Sequence, residues 1–335
     1  MTEETGFDLL DACVHGSQML MSLNLFDQEK SKAALHTIGA DASGWTEPMF
    51  HPFESLRAIT VTEGGEIWGV SEFGNLWSNA QRLNGRTGWQ VRSYPRWAFG
   101  APMNPRPWFR YPLPRELSVP TALTVREPHE VLVGDFEGRI LSIDLRDGRC
   151  VQEAVLATLG EGASGTPYRF VADDRGAIVG FGTMDVPVAR TDAGWAPVSV
   201  PGLPDRSRFI RGRWRTPDGR ILACTSDRLV LAGSSEGFAL VAQLREEPFD
   251  IATFAGRTYV ATMAGLLELD EAGQTVCAAD NVAPVLLVPT ETALFAVDIS
   301  PEASGAGEIA VWKGQPDGRL TETRRIRIRR ASSGG

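Results

Sequence analysis

Lysine is almost missing from this chain: of 33 basic residues only Lys30, Lys32 and Lys313 are lysine, and the rest are arginine. That bias suits bidentate recognition of carboxylate or phosphate, and a GC-rich coding genome explains it equally well. Even so the net charge is -9, which argues against bulk attraction to nucleic acid or an anionic lipid surface. Cysteine is scarce too. Cys13, Cys150, Cys224 and Cys277 lie far apart in apolar or strand-like stretches, with no pair at metal-ligand spacing. They read as buried free thiols in a reducing cytoplasm. His15, His36, His51 and His129 form no ligand pair. No run approaches the ~18 apolar residues of a membrane helix. The opening MTEETGFDLLDACVHG is acidic where a secretory signal is basic, so the expected location is cytoplasmic. A Gly-rich phosphate loop, a nucleophile elbow and a Cys/His pair are all missing.

What the chain does have is punctuation. Glycine (35) and proline (21) are spread along the 335 residues without a short period, which excludes collagen and predicts many turns. Apolar residues make up 43% and charged residues 22%, the balance of an ordinary globular chain.

Between the turns, short strand-like runs recur in fours. The clearest unit reads LRAITVT, GG, EIWGVS, EFGN, LWSNA, a turn, and GWQVRSY, from Leu56 to Tyr94. Others follow, among them TALTV, EVLVGDF, ILSIDL, RCVQEAVL and, later, DIATF, RTYVAT, LLELD, QTVCAA. Including FDLLDACV, QMLMSLNLF, KAALHTI and WTEPMF at the start, seven units span about 7–50, 56–95, 118–156, 166–201, 207–244, 248–280 and 283–329. A four-stranded antiparallel unit recurring every ~40–50 residues is the pattern of a β-propeller blade. The expected fold is therefore all-β: a single seven-bladed β-propeller, with six or eight blades as the alternatives. The first and last units each look complete, so the ring is expected to close by packing between them rather than by exchanging a strand. Residues 331–335 read as a flexible tail.

The joins between third and fourth strands share a form: GADASGWTEP, GRTGWQVRS and RTDAGWAPVSV. These resemble the Asp-box hairpin of sialidase-like (BNR-repeat) propellers and of photosystem-assembly-factor-like propellers. Asp192, Gly194 and Trp195 match in kind, and Gly44 with Trp45 and Gly88 with Trp89 match more loosely; the glycine-to-tryptophan spacing is shorter than in the family motif. The resemblance covers three of seven units and implies a tight turn whose tryptophan packs between blades. Sialidase chemistry would further imply an arginine triad, a tyrosine paired with glutamate, and an aspartate acid/base. Of the four tyrosines, Tyr168 and Tyr259 sit within expected strands, Tyr94 ends one, and Tyr111 lies in a proline-rich stretch. Packing explains the strand tyrosines better than nucleophilic work. Glu72, Asp135, Asp185, Asp227 and Asp298, near turns between second and third strands, could ring one mouth and hold a cation such as calcium. Turn-forming carboxylates are the simpler account.

Residues 96–117 break the repeat. This insertion carries Trp97, Phe99, Trp108, Phe109 and Tyr111, stiffened by Pro102, Pro105, Pro107, Pro112 and Pro114. From Ala80 to Arg115 there are seven arginines and no acidic residue. Rigid aromatics beside arginine are the residue types of binding hot spots. The expected partner-binding residues are Arg96, Trp97, Phe99, Arg106, Trp108, Phe109, Arg110, Tyr111 and Arg115; a lid folded over the ring is the competing account. By the geometry of propellers the insertion would border Glu72–Asn75 and Phe136–Arg139. The strand-like RRIRIRR at 324–330 reads as an outer edge, with Ile326 and Ile328 inward and Arg325, Arg327 and Arg329 in solvent.

The function expected is a non-enzymatic, protein-binding platform in a bacterial cytoplasm, neutralising or assembling a partner protein as a toxin-immunity or complex-accessory factor does. It calls for no cofactor, metal or membrane. A propeller hydrolase or lyase with a polar site at the channel mouth is the first alternative. Binding of a polyanion or single-stranded nucleic acid through the insertion is the second.

Overall fold

The computed structural model describes residues 6–27, 30–41, 54–80, 92–93, 108–115, 117–126, 129–204, 214–216, 218–270, 272–280, 282–298, 306–314 and 320–329. They form seven antiparallel sheets, each one blade. Blade 1 holds β1 (Gly6–His15), β2 (Gln18–Asp27) and β3 (Lys30–Gly39). Blade 2 holds β4 (Leu56–Val61), β5 (Ile67–Ser71), β6 (Asn75–Ser78), β7 (Arg92–Ser93) and β8 (Phe109–Pro112). Blade 3 holds β9 (Pro120–Arg126), β10 (Glu130–Asp135), β11 (Arg139–Asp144) and β12 (Cys150–Val155). Blade 4 holds β13 (Pro167–Ala172), β14 (Ile178–Gly182), β15 (Val188–Thr191) and β16 (Gly194–Pro197). Blade 5 holds β17 (Trp214–Arg215), β18 (Ile221–Cys224), β19 (Leu229–Ser234) and β20 (Gly237–Gln243). Blade 6 holds β21 (Pro248–Phe254), β22 (Arg257–Thr262), β23 (Gly265–Leu269) and β24 (Thr275–Ala279). Blade 7 holds β25 (Leu286–Pro289), β26 (Leu294–Asp298), β27 (Ala306–Gly314) and β28 (Leu320–Arg329).

First strands touch in the order β1, β4, β9, β13, β17, β21, β25, and β25 returns to β1. The chain is thus a closed seven-bladed propeller with its first strands innermost. The second strands show why. In β5, β14 and β18 every residue is buried, because both faces of each sheet are covered. Successive residues of β5 go to opposite seams: Ile67 to the blade 1 side, Trp68 and Val70 to the blade 3 side. Seven apolar cores result, one per seam between adjacent blades.

The closing seam is one of the seven. Met19, Met21, Leu23 and Ile38 of blade 1 pack on Leu286, Phe295, Val297, Ile309 and Val311 of blade 7. Among the described strands none is exchanged between these blades, and what joins them is this apolar packing. The stretch expected to complete blade 1, Trp45–Phe50, lies outside the described residues.

Blade 2 differs from its reading in sequence. The stretch 88–94 was expected as its fourth strand. That position belongs instead to β8, which pairs with β6 from Asn75↔Pro112 to Ser78↔Phe109, and β7 adds a fifth strand outside it. The reason is a period of two among the prolines: Phe109, Tyr111 and Leu113 fill the seam with blade 3, while Trp108 fills the seam with blade 1. Residues 108–112 are therefore blade core, not insertion. The cysteines also depart from expectation: Cys224 is buried, Cys13 and Cys150 are half-buried, and Cys277 is exposed.

Bulges recur at fixed places. First strands skip one residue against the second strand at Leu10, Arg57, Thr121, Tyr168 and Phe249. Fourth strands skip one against the third at Glu153, Val241, Ala278 and Thr323, whereas β8 and β16 run without a bulge. Such outer bulges twist an open edge away from further pairing. In β28 the edge position expected for the arginine-rich run is confirmed, and Arg325 pairs with Glu322 at 2.8 Å.

Two predictions follow from this packing. Ala255 turns β21 into β22 at φ 50, a left-handed conformation that costs an L residue about 1–2 kcal/mol. Its side chain is exposed, so Ala255→Gly should raise the denaturant midpoint, by about 1 kcal/mol of stability. The second concerns the seam of blades 3 and 4, where Arg190 donates to Glu130 at 2.6 and 2.9 Å and also to Glu153. Burial raises the Glu130 pKa, but hydrogen bonds from Arg190 and Ser142 and the Arg190 charge outweigh it and hold it below the ordinary value. A lowered folded pKa gives stability that is complete above the unfolded value and is lost as pH falls through the folded one. Glu130→Gln should therefore flatten the acid limb of a stability–pH profile and change its shape little at neutral pH; an unchanged acid limb would refute this.

Candidate functional site

The turns from second to third strands and the connections from one blade to the next gather at one mouth of the ring. In blade 2 the turn is Ser71–Gly74, closed by Gly74 N to Ser71 O at 3.1 Å, with Gly74 at φ 70. In blade 3 it is Asp135–Gly138, closed by Gly138 N to Asp135 O at 3.0 Å, with Gly138 at φ 78. Glycine supplies the positive φ and the positions before it are free to be polar. Each turn nonetheless carries a phenylalanine. Phe73 is 70% exposed and Phe136 is 60% exposed; Met263, in the matching turn of blade 6, is 55% exposed.

The connection 113–119 joins the two phenylalanine turns. Leu113 N donates to Gly74 O at 2.8 Å at one end, and Phe136 N donates to Val119 O at 2.9 Å at the other. Ser118 N donates to Asp135 Oδ2 at 3.0 Å. Arg115 stands exposed on this connection, and Val119 is exposed beside Phe136. Phe73, Arg115, Val119 and Phe136 thus share one rim of blades 2 and 3 on backbone that is pinned at both ends.

Glu54 anchors the patch from beneath. Its buried carboxylate accepts Ser71 Oγ at 2.5 Å, Asn75 Nδ2 at 2.8 and 3.0 Å and Trp77 Nε1 at 3.2 Å, and pairs with Arg110 Nη1 at 3.1 Å. One charge thereby ties the blade 2 turn, the third strand and the fourth strand together.

The expected contact residues therefore separate. Arg115 lies on the exposed rim. Arg110 is spent on Glu54. Trp108, Phe109 and Tyr111 are buried between blades, because they supply the two apolar faces that a fourth strand must have; the expectation that they form a binding face is corrected. Arg96, Trp97, Phe99 and Arg106 lie outside the described residues. The position expected for the insertion changes as well. Its ends, Asn79 and Trp108, adjoin Ser78, which pairs with Trp68 and Phe109 near the turn Thr62–Glu66. That is the mouth opposite Glu72–Asn75. Phe73, Val119, Phe136 and Met263 were not singled out in sequence, although an aromatic beside a turn glycine, as in EFGN and DFEGR, was the available signal.

The carboxylates near the turns have structural work. Asp135 accepts Glu137 N at 3.0 Å, Arg139 N at 2.8 Å and Arg139 Nε at 2.8 Å. Asp298 accepts Ala283 N at 3.1 Å, and Glu72 pairs with Arg57 at 3.3 Å. Among the described residues no group of three His, Cys, Asp or Glu is placed to hold a metal ion. Tyr259 is buried between blades 6 and 7; burial, then the Glu268 charge, pushes its hydroxyl up to about 12, the wrong direction for a nucleophile at neutral pH. Trp195 packs between blades 3 and 4 with its ring 5.8 Å from that of Phe170, and Thr191 Oγ1, rather than Asp192, closes that hairpin by bonding Gly194 O at 2.9 Å. The other two glycine–tryptophan hairpins lie outside the described residues.

A closed ring with its apolar side chains committed to seams and its turns bearing phenylalanine defines the class: a seven-bladed β-propeller with a rim patch. No family model matches the chain, and no curated protein sequence matches it. Among solved structures it is similar to the computationally designed protein Ika8, with TM-score 0.56 and 10% identity over 95% of this chain and 86% of that one. It is also similar to the extracellular domain of a protein described as a one-component system, BT4673, from B. thetaiotaomicron, with TM-score 0.57 and 8% identity. That match covers 99% of this chain and 47% of the other. At such identities the likeness concerns the fold alone, and it carries nothing specific to sialidases. Among the described residues no helix is long and apolar enough to cross a membrane.

The Glu54 network gives a prediction that separates scaffold from contact surface. Glu54→Ala leaves half-buried Arg110 and three hydrogen-bond donors, on Ser71, Asn75 and Trp77, without their carboxylate and should cost about 3–5 kcal/mol in equilibrium unfolding. Arg115→Ala, on the open rim, should change stability by no more than about 0.5 kcal/mol.

Proposed function

We propose that this propeller is a non-enzymatic platform that binds another protein, with its contact face on the rim formed by Phe73, Arg115, Val119 and Phe136. The observation that carries the reading is the pair of exposed phenylalanines on equivalent turns of neighbouring blades. Each sits where the turn itself asks only for a glycine and a polar residue, and exposing an aromatic ring gives up the stabilisation that its burial would bring. Phenylalanine beside arginine, on backbone fixed at both ends, is a preorganised contact surface that loses little entropy on binding. Neutralising a partner or holding it in a larger complex is the form of activity that such a surface serves.

The test is affinity capture from the native host's lysate, comparing the intact chain with a Phe73→Ser, Phe136→Ser variant whose thermal melt matches it. A protein retained by the intact chain and lost by the variant is the expected result, with Arg115→Ala weakening its retention about tenfold, as truncation of an interface arginine does. Equal profiles from the two would overturn the reading and turn attention to small ligands at the channel mouth.

A further inference from the structure

The bulges of the first strands align five blades residue for residue. The position just after the bulge is Asp11 in blade 1, Ala58 in blade 2, Ala122 in blade 3, Arg169 in blade 4 and Asp250 in blade 6. Two of the five are alanine, as an inner strand against a narrow channel favours. The other three are charged, and two of them are fully buried: Asp11 is 3% exposed and Asp250 0%.

Arg169 Nη1 donates to Asp11 Oδ2 at 2.8 Å while Nη2 donates to Oδ1. The partners are 158 residues apart and three blades apart in a ring of seven, so this fork crosses the channel rather than a seam. The same carboxylate accepts Ile59 N of blade 2 at 2.9 Å and Ala12 N at 2.8 Å. Asp250 accepts Leu287 N of blade 7 at 2.8 Å, and its charge also acts on Arg169. Among the described residues the axis of the ring therefore holds one cation between two anions, Arg169 between Asp11 and Asp250, and each anion is stitched to the inner strand of the following blade.

The closing seam is the place that needs such help. No described strand pairs across any seam, and blades 1 and 7 also lack the direct chain connection that joins every other pair of neighbours. At one mouth their junction is open: a cleft of about 670 Å³ lies between Gln18 and Asp41 of blade 1 and Thr292 and Lys313 of blade 7. The ion pair over it, Lys313 with Asp41 at 2.7 Å, has an exposed carboxylate and is worth little in water. A ring held only by neighbour-to-neighbour packing opens at one seam when its arc relaxes by a small rotation at every other seam. A bond between non-neighbours forbids that relaxation, because it fixes the curvature of blades 1 to 4.

We propose that the Arg169–Asp11 bridge is the latch of this ring, a bar across the channel that keeps blade 1 positioned against blade 7, between which no described strand is exchanged. A buried ion pair adds little net stability over an apolar pair of the same shape. The latch is thus a device for geometry, and its removal is felt at the seam before it is felt in the whole.

Hydrogen exchange with mass spectrometry on the full chain tests this. In the paired variant Asp11→Asn, Arg169→Met, made together with Asp250→Asn so that acceptors remain for Ile59 N and Leu287 N and none of the three charges is left alone, exchange in β1 and β25 should speed up by about tenfold or more, with β10 and β18 unchanged. Arg169→Lys, which keeps the charge and loses the fork, should give a smaller acceleration at the same two strands. It also supplies the readout should the paired variant fail to fold. Acceleration spread evenly over all seven blades would show a general stabiliser and overturn the proposal, as would unchanged exchange in β1 and β25.

Discussion

A four-stranded sheet that is apolar on both faces has no stable resting place until each face is covered. Most of this molecule follows from that requirement. Ile67 and Trp77 need blade 1 and Trp68 and Val70 need blade 3; each neighbour has the same need on its far side, and only a closed ring satisfies all of them. Residues that would be free to act in a half-exposed sheet are used up here. Second strands such as β5, β14 and β18 have no side chain in water, so chemistry and recognition are pushed out to turns, connections and strand edges.

That division of labour explains where the contact residues went. A tryptophan, a phenylalanine and a tyrosine within five positions look like a binding loop when the surrounding prolines are taken as a sign of irregular chain. In and just before β8 they are divided between two seams, with Pro112 at the strand's end and Pro114 beyond it. Arg110, on the same strand, is drawn inward because Glu54 is buried and needs a cation. The outward surface is made instead by Phe73 and Phe136, single residues in turns of four.

Much of the fold could be read from the order of residues because its determinants are local. Alternating apolar runs, turn glycines such as Gly74 and Gly138, and a unit of near-constant length all appear in the chain itself. Blade 2 was misread because choosing between 88–94 and 109–112 depends on which of them fits Leu76 on one side and blade 3 on the other, a matter of packing that no local pattern encodes. The Arg169–Asp11 bridge was out of reach for a similar reason. It joins residues 158 apart, and only the shared bulge shows that they occupy equivalent positions. Arg115, named in sequence as part of the insertion, is exposed on the connection between β8 and β9.

The bulges at the rim also limit how far a blade can grow. Glu153, Val241, Ala278 and Thr323 each spoil the outer hydrogen-bond ladder of a fourth strand. β8 and β16 both run without a bulge, are four residues long and end in proline, Pro112 and Pro197. Beside β8 the chain has added β7, while no described strand pairs with the outer edge of β16. An unbroken ladder thus permits a further strand without requiring one. An engineer wishing to widen this ring with a grafted strand would begin by deleting a bulge residue such as Thr323, and one wishing to trim blade 2 would begin by inserting a residue into β8.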